Sequence, residues 1–295
     1  MTSNHKIDVC ICTFRRPELA GALSSLFAQV RDTPQFRIIV ADNDDTDTAR
    51  PIVRRFVDRG IEMLYVHAPA RNISIARNAC LNEAVAEYVA FIDDDQIAAP
   101  DWLKNLCEKE RRSGAAIVLG PVVARYPSDA PKWLVIGDFH STYPTIMRDQ
   151  IIRTGYTGNV LMRREEIGDL RFDNRLGRCG GEDTLFFHQM VQNGSQIVYA
   201  PEAGMSEIIG QSRLKLSWLL KRAFRAGQTH GRILVNENRW TPATLPVACL
   251  KFGFCLLSAL ATAYSATRWR HALVRGGLHA GTMWSAFSKR EIELY

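Results

Sequence analysis

Two kinds of hydrophobic pattern alternate over the first 120 residues of the chain. Short, mostly apolar runs occupy residues 7–12, 36–41, 61–66, 87–92 and 116–123, each the length of a buried strand. Between them, residues 18–29, 49–59, 73–86 and 100–112 carry apolar side chains at helical spacing. In the first of these, Leu19, Leu23, Leu26 and Phe27 fall on one face behind Pro17, and Pro100 and Asp101 open the last. Strands alternating with such helices predict an α/β domain whose parallel sheet is covered on both faces. Sheets of this kind bind ligands outside the carboxyl ends of their strands. The polar residues that stand out lie there: Thr13 and Arg15 after the first strand, Asp42 after the second, and Asp93, Asp94 and Asp95 after the fourth.

Beyond residue 123 the pattern changes. Residues 126–156 are richer in Pro, Gly and Asp and read as a loop over the site. A short strand at 160–162, a helix over 181–192 and a last strand at 196–199 follow. Glu182 and Asp183 fall in the first turn of that helix, where the helix dipole favours carboxylates whatever their role. Residues 214–227 predict a basic amphipathic helix, with Leu216, Leu219, Leu220 and Ala223 opposite Lys215, Lys221, Arg222 and Arg225. Residues 248–267 are apolar apart from Lys251 and several Ser and Thr. Their uncharged part, 252–267, is shorter than the roughly 20 residues a spanning helix needs. A helix lying in a membrane interface fits better, with Arg268, Arg270 and Arg275 facing anionic lipid; a packed helical hairpin is the other reading.

Composition adds two points. A chain of 295 residues, 46% hydrophobic and 23% charged, has the make-up of a globular protein with room for one large domain and an appendage. Its net charge of +6 conceals an asymmetry: residues 211–295 hold 13 Lys and Arg against three Asp and Glu, a balance of +10, so the rest carries −4. Basic segments seek phosphates, of nucleic acid or of lipid, unless they are simply solvated faces. Nucleic acid is disfavoured because the arginines lack an interleaved pattern of stacking aromatics. The seven cysteines form no CxxC pair, and Cys10 and Cys12 alternate along a strand, so they are expected as reduced, packed thiols on one buried face rather than as a zinc site. Residues 1–6 run straight into that strand with no signal-peptide core, and a cytoplasmic setting is expected.

The run Phe91-Ile92-Asp93-Asp94-Asp95 carries the most chemistry. Three adjacent carboxylates repel one another and call for protonation, solvation or a cation. A divalent ion shared with a diphosphate is one solution, since Mg²⁺ prefers one or two carboxylates plus phosphate oxygens; a solvated acidic turn is the other. Arg77 is a fixed cation suited to a diphosphate, or a surface arginine on an amphipathic helix. A GxGxxG loop after the first strand is missing, which disfavours a dehydrogenase; a sugar-phosphate nucleotidyltransferase would need glycines where Thr13-Phe14-Arg15-Arg16-Pro17 stands.

The order Cys12-Thr13-Phe14-Arg15-Arg16-Pro17, Val40-Ala41-Asp42-Asn43, Ile75-Ala76-Arg77-Asn78, Asp93-Asp94-Asp95, Gly158-Asn159-Val160 and Gly180-Gly181-Glu182-Asp183 resembles family-2 inverting glycosyltransferases of GT-A fold. Within them it is most similar to bacterial succinoglycan-type exopolysaccharide glucosyltransferases, over residues 7–227. The resemblance implies a GT-A doubly wound mixed, mainly parallel sheet over 1–210, with a helical, membrane-associating extension over 211–295. It implies a nucleotide-sugar donor, a UDP-sugar above all, held by Thr13, Arg15, Asp42, Arg77, Asp93 and Asp94. Mg²⁺ or Mn²⁺ would sit on Asp95 and Asp93, which match the family's DxD motif, with Asp94 between them of undecided role. Asp183 matches the family's catalytic base, and Glu182 would orient the acceptor. The acceptor would be a glycan, lipid-linked, met at the inner face of the cytoplasmic membrane. The QxxRW motif of processive members is replaced by Trp218, Lys221, Arg222 and Arg225, which implies one sugar per encounter. A non-catalytic scaffold of the same fold in a polysaccharide assembly complex is the competing reading.

Overall fold

The computed structural model describes residues 6–30, 32–57, 59–147, 149–236 and 238–288. Residues 1–5, into which the expected direct run to the first strand falls, and residues 31, 58, 148, 237 and 289–295 lie outside these. The described chain forms two compact units. One comprises residues up to Ala124, Ser141–Arg178 and Glu182–Ile208; the other comprises Arg125–His140, Cys179–Gly181 and the chain from Ile209 onward.

The first unit is built on a seven-stranded sheet. Its strands in chain order are β1 (Ile7–Thr13), β2 (Phe36–Asp42), β3 (Met63–His67), β4 (Tyr88–Asp93), β6 (Ile117–Leu119), β8 (Asn159–Arg163) and β9 (Ile197–Tyr199), in the spatial order β3-β2-β1-β4-β8-β6-β9. The first four are parallel; β8 runs antiparallel to both β4 and β6, and β9 is parallel to β6. Period-two alternation sends Ile7, Val9 and Ile11 into one apolar cluster and Cys10 and Cys12 into another, so both faces are covered as expected. The exception within β1 is Asp8, fully buried, which accepts hydrogen bonds from Arg37 Nε at 2.5 Å and from the backbone N–H groups of Val85 and Ala86. A buried carboxylate so satisfied is tolerated in a strand that otherwise reads apolar.

The helices α1 (Leu19–Phe27), α2 (Arg50–Val57), α3 (Ile73–Glu83) and α4 (Trp102–Ser113) follow their strands as predicted, each within a few residues of the expected bounds. The expected fifth strand at 116–123 is two strands. β6 stops at Leu119, Gly120-Pro121 intervenes, and β7 (Val122–Arg125) joins a separate three-stranded sheet, β5-β10-β7, with β5 (Gln96–Ala98) and β10 (Met205–Ile208). Proline has no N–H for a central ladder, and the chain turns out of the sheet there. The region 126–156 is likewise not one loop. It contains α5 (Lys132–Gly137), and its two halves belong to different units. Short α6 (Arg164–Ile167) and α7 (Glu182–Gln192) complete this part of the chain.

The second unit is dominated by α8 (Leu216–Asn236), α9 (Thr244–Ala261) and α10 (Arg268–Trp284). α8 runs beyond the predicted end at 227, and the predicted helix 248–267 ends at Ala261, where the Thr262 hydroxyl turns back onto the Ser258 carbonyl at 2.7 Å. α8 and α10 touch backbone to backbone. A Cβ on Gly227 would stand 1.9 Å from the Leu278 carbonyl oxygen, and one on Gly281 would stand 1.8 Å from that of Phe224. Only glycine permits this approach. Residues 125–140 pack on the same helices: Phe139 stacks on His271 at 4.0 Å, and Arg270 lies over Trp133 at 4.6 Å. His140, 2% exposed, is a pin in this unit. Its Nε2 faces the Arg213 carbonyl at 3.1 Å, its Nδ1 meets the Tyr126 hydroxyl at 3.2 Å, and its ring stacks on Trp218.

Candidate active site

Register brings the predicted residues into one row. Thr13 is opposite Asp42, Asp42 is opposite His67, and Cys12 is opposite Asp93, all at the carboxyl ends of β1 to β4. The Thr13 and Asp42 side chains are buried. Asp42 clamps the loop that follows it: Oδ1 accepts from Asp44 N at 3.1 Å, and Oδ2 accepts from Ala49 N at 2.8 Å and from the Tyr65 hydroxyl at 2.9 Å. Asp42, expected to help hold the donor, has its oxygens on these protein groups through the geometry of the tight loop. Arg15, also expected on the donor, has a protein partner as well. Its guanidinium forks onto Asp44 Oδ1, through Nε at 2.9 Å and Nη2 at 2.8 Å, and lies over the Phe14 ring. Its backbone is left-handed, with φ of 53°, and its side chain stays half exposed, so one face of the pair remains available to a ligand.

The three consecutive aspartates differ. Asp93 is half exposed; Oδ2 accepts from Gln96 Nε2 at 3.3 Å, and Oδ1 lies 3.9 Å from Arg77 Nη2. The protein packed around it limits its hydration and pushes its carboxyl up to about 7 against the pull of Arg77, with Asp95, Glu207 and Asp94 adding to the rise. Asp94 is buried, and burial pushes it up to about 6, with Asp95 contributing. Asp95 is held by Arg16, Nη1 to Oδ2 at 2.8 Å. Carboxylates pushed this far from their ordinary range mark a place where positive charge is wanted. Among the described residues no three His, Cys, Asp or Glu side chains gather into a metal cluster of their own. The Asp93–Asp95 pair therefore fits a hard cation that completes its shell with diphosphate oxygens and water, and does not fit an all-protein cage.

Arg77 lies where α3 crosses the site and is 7% exposed. Its Nη1 pairs with Glu182 Oε1 on α7, its Nη2 faces Asp93, and its guanidinium lies over the Phe172 ring at 5.5 Å. Burial alone would lower its pKa, but Glu182, Asp183 and Asp93 together push it up, so it is a permanent cation. Arg77, expected to help hold the donor diphosphate, also joins the two acidic motifs from inside. Glu182 is 5% exposed, and its Oε2 is buried with no hydrogen-bond partner among the described residues. Asp183 is half-buried, and its Oδ1 accepts the Thr184 N–H at 2.7 Å. Just before them, Gly180 and Gly181 have φ of 82° and 89°, a turn that side chains would strain.

Asn72 and Ser74 escaped sequence reasoning, and Asn43, Asn78 and Asn159 stood in the motifs without a role. Asn72 caps α3, accepting from Ile75 N, and donates to the Asn174 carbonyl. Ser74 and Asn78 bond the backbone of Asp173 and Phe172, so α3 is stitched to the segment that leads into α7. Asn43 ties β2 to the start of α3 by accepting from Asn72 N. Asn159, buried, holds Trp102 Nε1 and the Pro121 and Ala203 carbonyls. The Asn before Ile73 was a visible capping signal; the others are long-range partners with no local signature.

A mixed, mainly parallel sheet with carboxylates at its strand ends and a second acidic pair at a helix start defines a glycosyltransferase of GT-A fold. The chain belongs to glycosyl transferase family 2, whose family profile matches residues 8–171. It is 45% identical to the succinoglycan biosynthesis protein ExoM of Rhizobium meliloti (strain 1021), over 98% of this chain and 95% of that protein. Among solved structures, the mannosyltransferase PcManGT of Pyrobaculum calidifontis, in complex with GDP-Man and Mn²⁺, superposes with a TM-score of 0.68 at 18% identity, covering 98% of this chain and 89% of that one. S. aureus TarS 1-349 in complex with UDP-GlcNAc superposes with a TM-score of 0.57 at 16% identity, covering 94% and 89%. At these identities the two structures show the fold.

Proposed function

We propose that this chain is an inverting, metal-dependent hexosyltransferase of cell-surface exopolysaccharide synthesis, taking its sugar from a UDP-sugar and passing it to a hydroxyl of a lipid-linked glycan. The observation that carries the reading is Arg77. It lies 3.9 Å from Asp93 and pairs with Glu182, so one buried cation holds the DxD strand and the helix of the acceptor-side carboxylates in a fixed relation. Such prepositioning is what a direct displacement requires. The acceptor hydroxyl oxygen attacks the anomeric carbon and gives its proton to Asp183, and the bond from that carbon to the diphosphate oxygen breaks. Glu182 Oε2, buried without a partner, supplies an acceptor for a second substrate hydroxyl.

Asp93 and Asp95 would hold Mg²⁺ or Mn²⁺, which when bound supplies Lewis-acid stabilisation to the leaving nucleoside diphosphate. Asp94, buried between them, keeps the two ligands apart. The Arg15–Asp44 pair and Thr13 border the nucleoside. The relative named for succinoglycan biosynthesis supports the exopolysaccharide assignment, the Mn²⁺ complex supports a metal, and the UDP-GlcNAc complex supports a UDP donor. Residues 1–210 are assigned to catalysis and 211–295 to attachment, at the cytoplasmic face of the membrane where lipid-linked glycans are extended.

The test is a donor screen with membrane-extracted lipid-linked acceptor, following UDP release with and without Mn²⁺, and the anomeric configuration of the product by NMR. Transfer with retained configuration, or transfer undiminished by chelation of divalent ions, would overturn the corresponding part of the proposal.

A further inference from the structure

α9 has an outward face that the rest of its unit does not cover. Its inner face is Ala248, Cys255 and Ala259, which are buried. Turned outward are Val247, Leu250, Phe254, Leu257 and Leu260, and beyond the helix end Tyr264, with Leu250, Phe254, Leu257, Leu260 and Tyr264 each at least two-thirds exposed. The helical spacing of these residues makes a continuous stripe, widened on its flank by exposed Leu256. Lys251 is the one charged residue in the helix.

Charge frames the stripe with a single sign. α8, α9 and α10 contain four, one and three Lys or Arg respectively and no Asp or Glu. Lys251, Arg275 and His230 lie near enough to His279 for their positive charge to add to the burial that lowers its pKa. Beyond the helix end, exposed Arg268 donates from Nη1 to the Tyr264 hydroxyl at 3.2 Å. An aromatic hydroxyl beside an arginine at the edge of an apolar band is the usual arrangement at a lipid headgroup level.

We infer that α9 is an in-plane anchor whose outer face inserts among the acyl chains of an anionic bilayer, with Lys251, Arg268 and Arg275 on the headgroups. The inference rests on the lipid-linked acceptor of the proposed function for its purpose, while its physical grounds are separate. The stripe has the spacing of a helix–helix seam as well, but Leu256 widens it on one flank and the charge around it is of one sign, which suits an anionic lipid surface. At 18 residues α9 is long and apolar enough to cross a membrane by length and composition. Its packing argues otherwise. It lies against α10, which carries Arg268, Arg270 and Arg275, and a hairpin with that partner cannot enter the hydrocarbon core without dehydrating them.

The experiment is flotation of the purified full chain with vesicles of phosphatidylcholine alone or mixed with phosphatidylglycerol. The chain is expected to float with the mixed vesicles, at least tenfold more than with phosphatidylcholine, and to be released by alkaline carbonate. The triple variant Leu250→Ser, Phe254→Ser, Leu257→Ser should lose flotation at least tenfold while its UDP binding with Mn²⁺ and its melting temperature stay at the wild-type values. Lys251→Glu with Arg275→Glu should remove the preference for the anionic vesicles. Wild-type chain that stays with neither vesicle, a triple variant that floats undiminished, resistance to carbonate, or a wild-type dimer that the triple variant converts to monomer would each overturn the inference. Loss of UDP binding in the wild type would count against the proposed function alone.

Discussion

At the carboxyl end of the sheet, cations are matched with carboxylates: Arg15 with Asp44, Arg16 with Asp95, Arg77 with Glu182. On the three C-terminal helices the basic residues have no carboxylate on their own helices, and Leu250, Phe254, Leu257 and Leu260 of α9 face outward. One region spends its charges on internal geometry and the other presents them to its surroundings. The contrast teaches that a basic residue has no meaning by type alone. Arg77 stays a cation because three acids surround it in a place water scarcely reaches. Arg268 has a tyrosine hydroxyl as its partner and remains open to an external phosphate. Removing a charge from the first region therefore perturbs rate and fold together, whereas removing one from the second alters attachment.

The sharpest break in that comparison comes from Asp183→Asn. A general base contributes about 10² to 10⁴ in rate, so kcat for transfer should fall by about a thousandfold while calorimetric UDP binding persists. Next, Arg77→Met should cost about 3 kcal/mol of stability in urea unfolding, because Glu182 is left buried without its counter-charge. The double variant Arg77→Met, Glu182→Leu should recover part of that loss without recovering activity. Were the double variant active, the Arg77–Glu182 pair would be a fold device with no part in positioning.

Within the helical unit, Gly281→Val should destabilise by about 3 kcal/mol, at the upper end of overpacking costs, since the new Cβ meets a backbone carbonyl that cannot move alone. A thermal melt that leaves UDP binding intact would show that the two regions fail independently. pH offers a milder probe. Burial lowers His140 to about 4, from an ordinary value near 6.5, so the folded ring is neutral while the unfolded one takes a proton. Stability should therefore be fully present above about pH 6.5 and be lost as pH falls toward 4, by up to about 3 kcal/mol. His140→Phe should flatten that slope. The smallest effect is expected for Arg112→Ala, which breaks an exposed pair with Glu108 in α4 and should shift stability by less than about 0.5 kcal/mol.

The strand–helix alternation, the two-faced burial of β1 and the strand-end address of Thr13, Asp42 and Asp93 were legible in sequence, because side-chain periodicity and strand direction are local properties. So was the contrast in charge between the body and the last 85 residues. The break at Gly120-Pro121 was missed because apolar identity on either side hid the change of sheet. The loop clamp of Asp42 and the internal tie of Arg77 hung on partners that pattern cannot supply. For Asp42 these are a nearby backbone amide and Tyr65; for Arg77 it is Glu182, more than a hundred residues on. The sequence by itself determined which residues are able to bind phosphate, metal or proton. Tertiary structure alone decided which of them are already occupied by one another, since a charge buried in folding takes whatever counter-charge the fold brings to it.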